Sequence, residues 1–304
     1  MRKAFSSVLE KMGSDEKIVF ITGDLGFNAL EGIRDTMKDR FINAGVAEQN
    51  MIGVAAGLAH KGYSVFCYSI APFITYRCLE QIRIDVCYHK LPVFIVGNGG
   101  GYGYGIMGFT HHAISDLACM SSLPGLDCYI PSFTEEVESS LTQMLSAGRP
   151  SYLRLGLGRS KPAGLKTFES INPLLLSPQP EMTVMALGPL AASALETISK
   201  AGFEKKIDLF SAVKLPFANF NDKFVQSVKA SERLLILEEH VSRGGIAENI
   251  ALSLMNLGIM PKQFKAIPAA GYPGELYGDQ NYHQRQSGLD QASILGILQN
   301  WLMQ

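Results

Sequence analysis

The chain has 304 residues, enough for two domains of ordinary size that each bury their own core. Hydrophobic residues make up 47% of it and charged residues 18%, a composition that excludes a disordered chain. The formal net charge of −1 gives no global electrostatic reason to bind nucleic acid or an anionic membrane, and neither is expected as a partner.

Ala4, Phe5, Val8, Leu9 and Met12 recur at helical spacing, in a segment too charged to be the core of a signal peptide. Strand-like runs follow at 18–22, 41–44, 63–68, 93–96, 127–130 and 151–155, with stretches between them long enough for helical crossovers. These runs lack polar alternation, so the sheet they form is expected to be parallel and covered on both faces. The stretch 156–180 holds Gly156, Gly158, Gly164 and Pro162, Pro173, Pro178, Pro180, and reads as a linker. A second α/β unit follows, with strands at 183–187, 206–210, 233–237 and 264–267 and a closing amphipathic helix at 289–302. The expected fold is α/β with two domains, each a mostly parallel sheet flanked by helices: 1–160, a linker at 161–181, and 182–304. The five cysteines are odd in number and contain no Cys-x-x-Cys pair, which favours thiols in a reducing cytoplasm over a disulfide scaffold or a zinc site. No apolar run reaches the roughly 20 residues that span a bilayer. A cytoplasmic protein is expected.

In parallel sheets, ligands bind beyond the carboxyl ends of the strands, and three segments occupy such positions. In the first, Gly45-Val46-Ala47-Glu48-Gln49-Asn50, Glu48 is the only acid of a helix rich in small residues. Close packing would bury it there, which suits proton exchange; an acid at a helix start also favours the helix dipole. In the second, Phe73 and Tyr76 are three residues apart and could form an aromatic platform on one helix face, or pack in the core. In the third, seven glycines fall within the twelve residues 97–108, so the backbone can approach a ligand closely. Gly103, Gly105 and Gly108 match Gly-x-Gly-x-x-Gly, but mid-domain and not in a first βα turn. His111 and His112 open the next helix pointing to different faces, without the spacing of a zinc pair.

In this order, the segments resemble the pyrimidine-binding domain of transketolases and their relatives. Gly45 through Asn50 resembles the motif bearing the family's cofactor-activating glutamate. Phe73 through Arg83 resembles the helix that supplies aromatic contacts to an aminopyrimidine. Thr110-His111-His112-Ala113-Ile114-Ser115-Asp116-Leu117 is similar to the family's Thr-His-Gln segment. Leu237-Glu238-Glu239-His240 with Gly244-Gly245, and Ser287-Gly288-Leu289-Asp290, resemble signatures of the C-terminal transketolase domain. The resemblance covers almost the whole chain.

The resemblance implies thiamine diphosphate as cofactor, together with Mg²⁺. Glu48 would favour the imino form of the aminopyrimidine, which takes the proton from the thiazolium C2. Phe73 and Tyr76 would pack on the pyrimidine, and His111 would stabilise an alkoxide or shuttle a proton. Gly99, Tyr102, Met107, His112 and Arg154 are candidate substrate contacts. The family's Gly-Asp-Gly…Asn segment for Mg²⁺ and diphosphate has no match: Gly23-Asp24-Leu25 and Gly278-Asp279-Gln280 both depart from it. A separate N-terminal subunit is therefore expected to carry that motif, in at least a heterotetramer or a homodimer-based complex to which the second domain lends dimer surface. Sugar-transferring members usually place a phosphate-contacting His twelve residues before the motif His and an Asp four before it; here these are Gly99 and Met107. The implied reaction moves a ketol or acyl unit from a sugar or keto-acid donor to an aldehyde. The other readings of the same architecture are the beta chain of a 2-oxo-acid dehydrogenase, a non-catalytic scaffold subunit and, third, a nicotinamide-binding Rossmann enzyme.

Overall fold

The computed structural model describes residues 1–26, 29–167, 169–217 and 219–303. Its twelve strands are β1 (Ile18–Thr22), β2 (Phe41–Asn43), β3 (Ser64–Ile70), β4 (Val93–Asn98), β5 (Asp127–Tyr129), β6 (Ser151–Leu155), β7 (Ile171–Leu175), β8 (Met182–Leu187), β9 (Ile207–Ala212), β10 (Lys214–Leu215), β11 (Arg233–Leu237) and β12 (Gln263–Ile267). They form a seven-stranded sheet, β10-β5-β6-β4-β3-β1-β2, and a five-stranded sheet, β12-β11-β8-β9-β7. Both are parallel except at one edge each, where β10 runs antiparallel to β5 and β7 antiparallel to β9. The α/β class with two mostly parallel sheets is as the sequence implied.

Alternation of side chains across each strand divides the core into layers. On one face of the first sheet, Phe20, Phe66 and Phe94 pack with Phe5 and Leu9 of the helix Arg2–Met12 and with Val137 and Leu141 of the helix Glu136–Ala147. Burial of each of these rings contributes about 1.5–3 kcal/mol. On the other face, Val19, Cys67 and Ile95 pack against Met51, Ala55 and Ala56 of the helix Glu48–His60. The same buried cluster runs on into Met185, Phe210 and Ile236 of the second sheet. The opposite face of that sheet is covered by the helices Leu190–Ala201 and Gln291–Leu302.

The stretch expected to be a linker contributes β7, with Pro173 at a register shift against β9. An edge strand tolerates that proline because the missing N–H breaks no ladder on its outer side. β10 crosses back from the second half of the chain to extend the first sheet, and Ile130 donates its backbone N–H to the Val213 carbonyl at 2.7 Å. All five cysteines are free thiols, four of them buried. Among the described residues, no helix is long and apolar enough to cross a membrane.

Candidate active site

The carboxyl ends of β1, β2, β3 and β4 share one edge of the first sheet, and Glu48, Phe73 and the glycine-rich loop leave from it. Glu48 is the first residue of its helix and is 2% exposed, because Met51, Ile52 and Ala55 draw the helix against the sheet. It is not a lone acid. Ser69, near the end of β3, donates its hydroxyl to Oε1 at 3.1 Å, and Arg77 reaches Oε2 with Nη1 at 2.5 Å. The Arg77 side chain is 43% exposed, so the pair is a buried carboxylate covered from the solvent side by a guanidinium. An open cavity of about 410 Å³ lies at the ends of β1 and β2, lined by Thr22, Asp24, Leu25 and Asn43. Thr22 Oγ1 is buried there with no hydrogen-bond partner among the described residues, and Asn43 donates to Asp24 at 3.2 Å.

Phe73 and Tyr76 do not form a common platform. The helix Ala71–Thr75 ends before Tyr76, and the segment continues as a turn, a short helix Leu79–Gln81 and then π-helix over Ile82–Cys87. The Phe73 ring packs edge-on against His111 at 5.1 Å between centroids and carries the Arg77 guanidinium 4.8 Å above it. Tyr76 turns the other way, and its hydroxyl accepts from the backbone N–H and the hydroxyl of Ser115 at 3.1 and 2.9 Å. Burial, with Asp116 nearby, pushes the Tyr76 hydroxyl up to about 12, so it stays protonated at neutral pH. His111 lies between Phe73 and Tyr104, with Nδ1 2.8 Å from the Thr110 hydroxyl.

The glycine loop folds tightly over this region. Gly99 has φ +79°, and a Cβ there would overlap the Tyr104 ring, whose hydroxyl accepts from Asn98 at 2.8 Å. Gly101 has φ +67°, and a Cβ there would overlap Glu239. Met107 stands 52% exposed beside the exposed Ile106 and Phe109.

Three of the candidate substrate contacts lie inside the protein. Tyr102 is fully buried between the sheets, donates its backbone N–H to Glu239 at 2.7 Å and stacks on His283 at 4.9 Å. His112 is buried with both ring nitrogens engaged. Nε2 lies 2.7 Å from the Gly105 carbonyl and must donate, so Nδ1 accepts from the Tyr272 hydroxyl at 2.9 Å. Burial lowers its pKa to about 4. Arg154 pairs with the fully buried Asp116 at 2.8 Å and donates to the carbonyls of Ala113 and Glu239 at 2.8 and 3.0 Å. Its guanidinium braces the junction of the two sheets.

The Glu-Glu-His segment after β11 completes that brace. Glu238 caps the helix Ile246–Asn256 by accepting from the Ile246 N–H at 2.7 Å, and burial raises its carboxyl to about 8. Glu239 holds Tyr102 and also accepts from Gln280 and Gln284 at 2.9 and 2.5 Å. His240 accepts from the Ala118 N–H at 3.2 Å. A cleft of about 180 Å³ between the sheets is lined by Gly100, Arg159, Ser193 and Gln284 and contains none of Glu48, Phe73 and His111. Sequence reasoning singled out neither Ser69 nor Arg77; the position of Arg77 four residues after Phe73 was the available signal.

A buried carboxylate and an aromatic face, bridged here by one guanidinium, suit the polar edge and flat face of a nitrogen heterocycle. Among the described residues, no group of three or more His, Cys, Asp and Glu could hold a metal ion.

Residues 1–159 match the family described as transketolase, pyrimidine binding domain. The chain is 29% identical over 306 residues to one of the subunits of the apulose-4-phosphate transketolase of Phocaeicola vulgatus, covering 96% of this chain and 94% of that protein. It is also 29% identical to the 1-deoxy-D-xylulose-5-phosphate synthase of Myxococcus xanthus over 96% of this chain, which spans 50% of that longer protein. A solved structure described as split gene transketolase, inactive beta4 tetramer, superposes with a TM-score of 0.82 and 26% identity, over 99% of this chain and 98% of that one.

Proposed function

This chain belongs to the transketolase pyrimidine-binding domain family and joins that domain to a transketolase C-terminal section, as the matching subunits of split transketolases do, and on that premise we propose that it is the pyrimidine-site half of a thiamine-diphosphate-dependent transketolase. The observation that carries the reading is Glu48: a carboxylate 2% exposed at a helix start, joined through the Arg77 guanidinium to the ring of Phe73, which packs against His111. When bound, the cofactor supplies a nucleophilic thiazolium carbon, and the protein supplies orientation and proton control. Glu48 holds a proton at the N1′ edge of the aminopyrimidine, and Phe73 offers its face to that ring. His111 serves as the proton carrier nearest the substrate, its ring fixed by Thr110.

Thiamine diphosphate and Mg²⁺ are anchored in this reading mainly by a partner subunit that carries the Gly-Asp-Gly…Asn motif, in an assembly of at least a heterotetramer. The inactive state named for the similar beta4 tetramer supports the need for such a partner. The reaction class is transfer of a ketol or acyl unit from a 2-keto donor to an aldehyde. Gly99 and Met107 leave no charged side chain at two positions where sugar-specific relatives place His and Asp, and Arg154 is spent on Asp116. These support a donor held by its keto group, with any phosphate contacted elsewhere. Calorimetric titration of thiamine diphosphate with Mg²⁺ tests the proposal. The complex with the partner is expected to bind and the isolated chain to bind poorly, whereas tight, Mg²⁺-dependent binding by the isolated chain would overturn the split-site reading.

A further inference from the structure

The Arg77 side chain makes two contacts at once, and they are the two contacts assigned above to the cofactor ring. Its guanidinium donates to Glu48 Oε2 at 2.5 Å and lies 4.8 Å above the Phe73 ring. A guanidinium is a flat, delocalised cation that pairs with carboxylates and stacks on aromatic faces. An aminopyrimidine with a protonated ring nitrogen is also flat, hydrogen-bonds a carboxylate through its edge and stacks through its face. Two such groups cannot both occupy one carboxylate oxygen and one ring face.

We propose that Arg77 is the gate of the pyrimidine subsite: its guanidinium stands in for the cofactor ring on Glu48 and Phe73 and swings out when the ring enters. The proposal rests on the reading of Glu48 and Phe73 as cofactor contacts. Four features make the movement feasible. The Arg77 side chain is 43% exposed, while the carboxylate under it is 2% exposed, so the arginine is the outer member of the pair. Its backbone lies in the turn between the short helices Ala71–Thr75 and Leu79–Gln81, outside the regular ladder of either. Six π-helical residues, Ile82–Cys87, then follow, a geometry common at functional sites. Ser69 holds the other oxygen of Glu48 at 3.1 Å, so the carboxylate keeps its orientation when Arg77 leaves. The exchange also has a chemical purpose. Oε2 already accepts from the guanidinium, and only its removal leaves that oxygen free to meet a ring nitrogen. In the unliganded chain, the pair covers a charge that would otherwise sit buried and unmatched.

The gate makes the apparent affinity for the cofactor depend on the fraction of molecules in which Arg77 is already out. If that fraction is about one in ten, removing the gate tightens binding about tenfold. The test uses the complex with the partner subunit, thiamine diphosphate and Mg²⁺, with the dissociation constant and association rate measured for wild type, Arg77→Gln and Arg77→Lys. Arg77→Gln is expected to bind about tenfold tighter and to associate faster. Arg77→Lys, which keeps the charge but loses the flat face, is expected to fall between them. A readout independent of affinity is the resonance of the Arg77 Nη1–H that donates to Glu48: protected in the unliganded complex and exposed to solvent exchange once the cofactor is bound. If Arg77→Gln binds no tighter, or more weakly, or if the resonance stays protected with cofactor bound, Arg77 is a fixed support of Glu48 and the gate is wrong. If the wild-type complex binds no thiamine diphosphate, the cofactor reading fails first and takes the gate with it.

Discussion

Replacing Arg154 with Met separates a brace from a ligand. The wild-type guanidinium donates to Asp116 Oδ2 at 2.8 Å and to the carbonyls of Ala113 and Glu239 at 2.8 and 3.0 Å. Without it, the fully buried Asp116 keeps only the Tyr152 hydroxyl at 2.7 Å, and its Oδ1 has no partner among the described residues. Removing one member of a buried ion pair costs about 3–5 kcal/mol, since the remaining charge loses its compensation. At about 2–4 °C per kcal/mol for a chain of this size, a loss of about 4 kcal/mol lowers the thermal midpoint by roughly 8–16 °C. Urea denaturation of wild type, Arg154→Met, Asp116→Asn and the double variant gives the coupling as a double-mutant cycle. The double variant should recover about half of the single-variant loss, because it leaves no buried charge unpaired. A cost below about 1 kcal/mol for Arg154→Met, with no coupling to Asp116, would refute the brace and return Arg154 to the ligand-contacting residues.

Acid and base should each weaken the fold through a different buried group. Burial depresses His112 in the folded chain to about 4, so the unfolded chain takes up that proton first; stability is full above about 6.5 and falls as pH drops to about 4, a slope that His112→Asn should flatten in urea midpoints. Burial raises Glu238 to about 8, so the unfolded chain loses that proton first; its contribution is full below about 4.5 and lost as pH rises toward 8, and Glu238→Gln should remove this loss. Truncation after Pro180 removes β10, Glu239 and the second-sheet part of the shared core, so the first domain alone should show molten behaviour by near-ultraviolet circular dichroism, whereas a sharp native transition would show that it folds independently.

The legible parts of the sequence were those fixed by local pattern. β1, β6 and β11 are readable to the residue because each is a short, mostly apolar run without polar alternation, buried along nearly its whole length. β7 was obscured by Pro173, and β10 has two residues that are strand only because β5 offers them an edge. Glu48 could be found from its place among small residues beyond a strand, whereas its partners Ser69 and Arg77 are 21 and 29 residues away and meet it only in the folded chain. Tyr102 draws attention as part of the glycine loop, His112 as an opener of the helix after it, and Arg154 through the family resemblance. The pull on them comes from Glu239, Tyr272 and Asp116, the first two more than a hundred residues distant from the groups they hold, and no local pattern records such tertiary pairing.

Glu48 tests the account most directly. Gln keeps the size and a hydrogen-bonding group but cannot hold the shared proton at the N1′ edge, so the loss falls on the chemical step and not on binding. The measurement is hydrogen–deuterium exchange at C2 of thiamine diphosphate bound to the reconstituted complex, for wild type, Glu48→Gln and His111→Ala. Exchange is expected to slow by orders of magnitude in Glu48→Gln and to stay near wild type in His111→Ala, whose defect follows substrate addition. Exchange in Glu48→Gln as fast as in wild type would make Glu48 a helix-terminal acid with no role in cofactor activation, and would contradict the account.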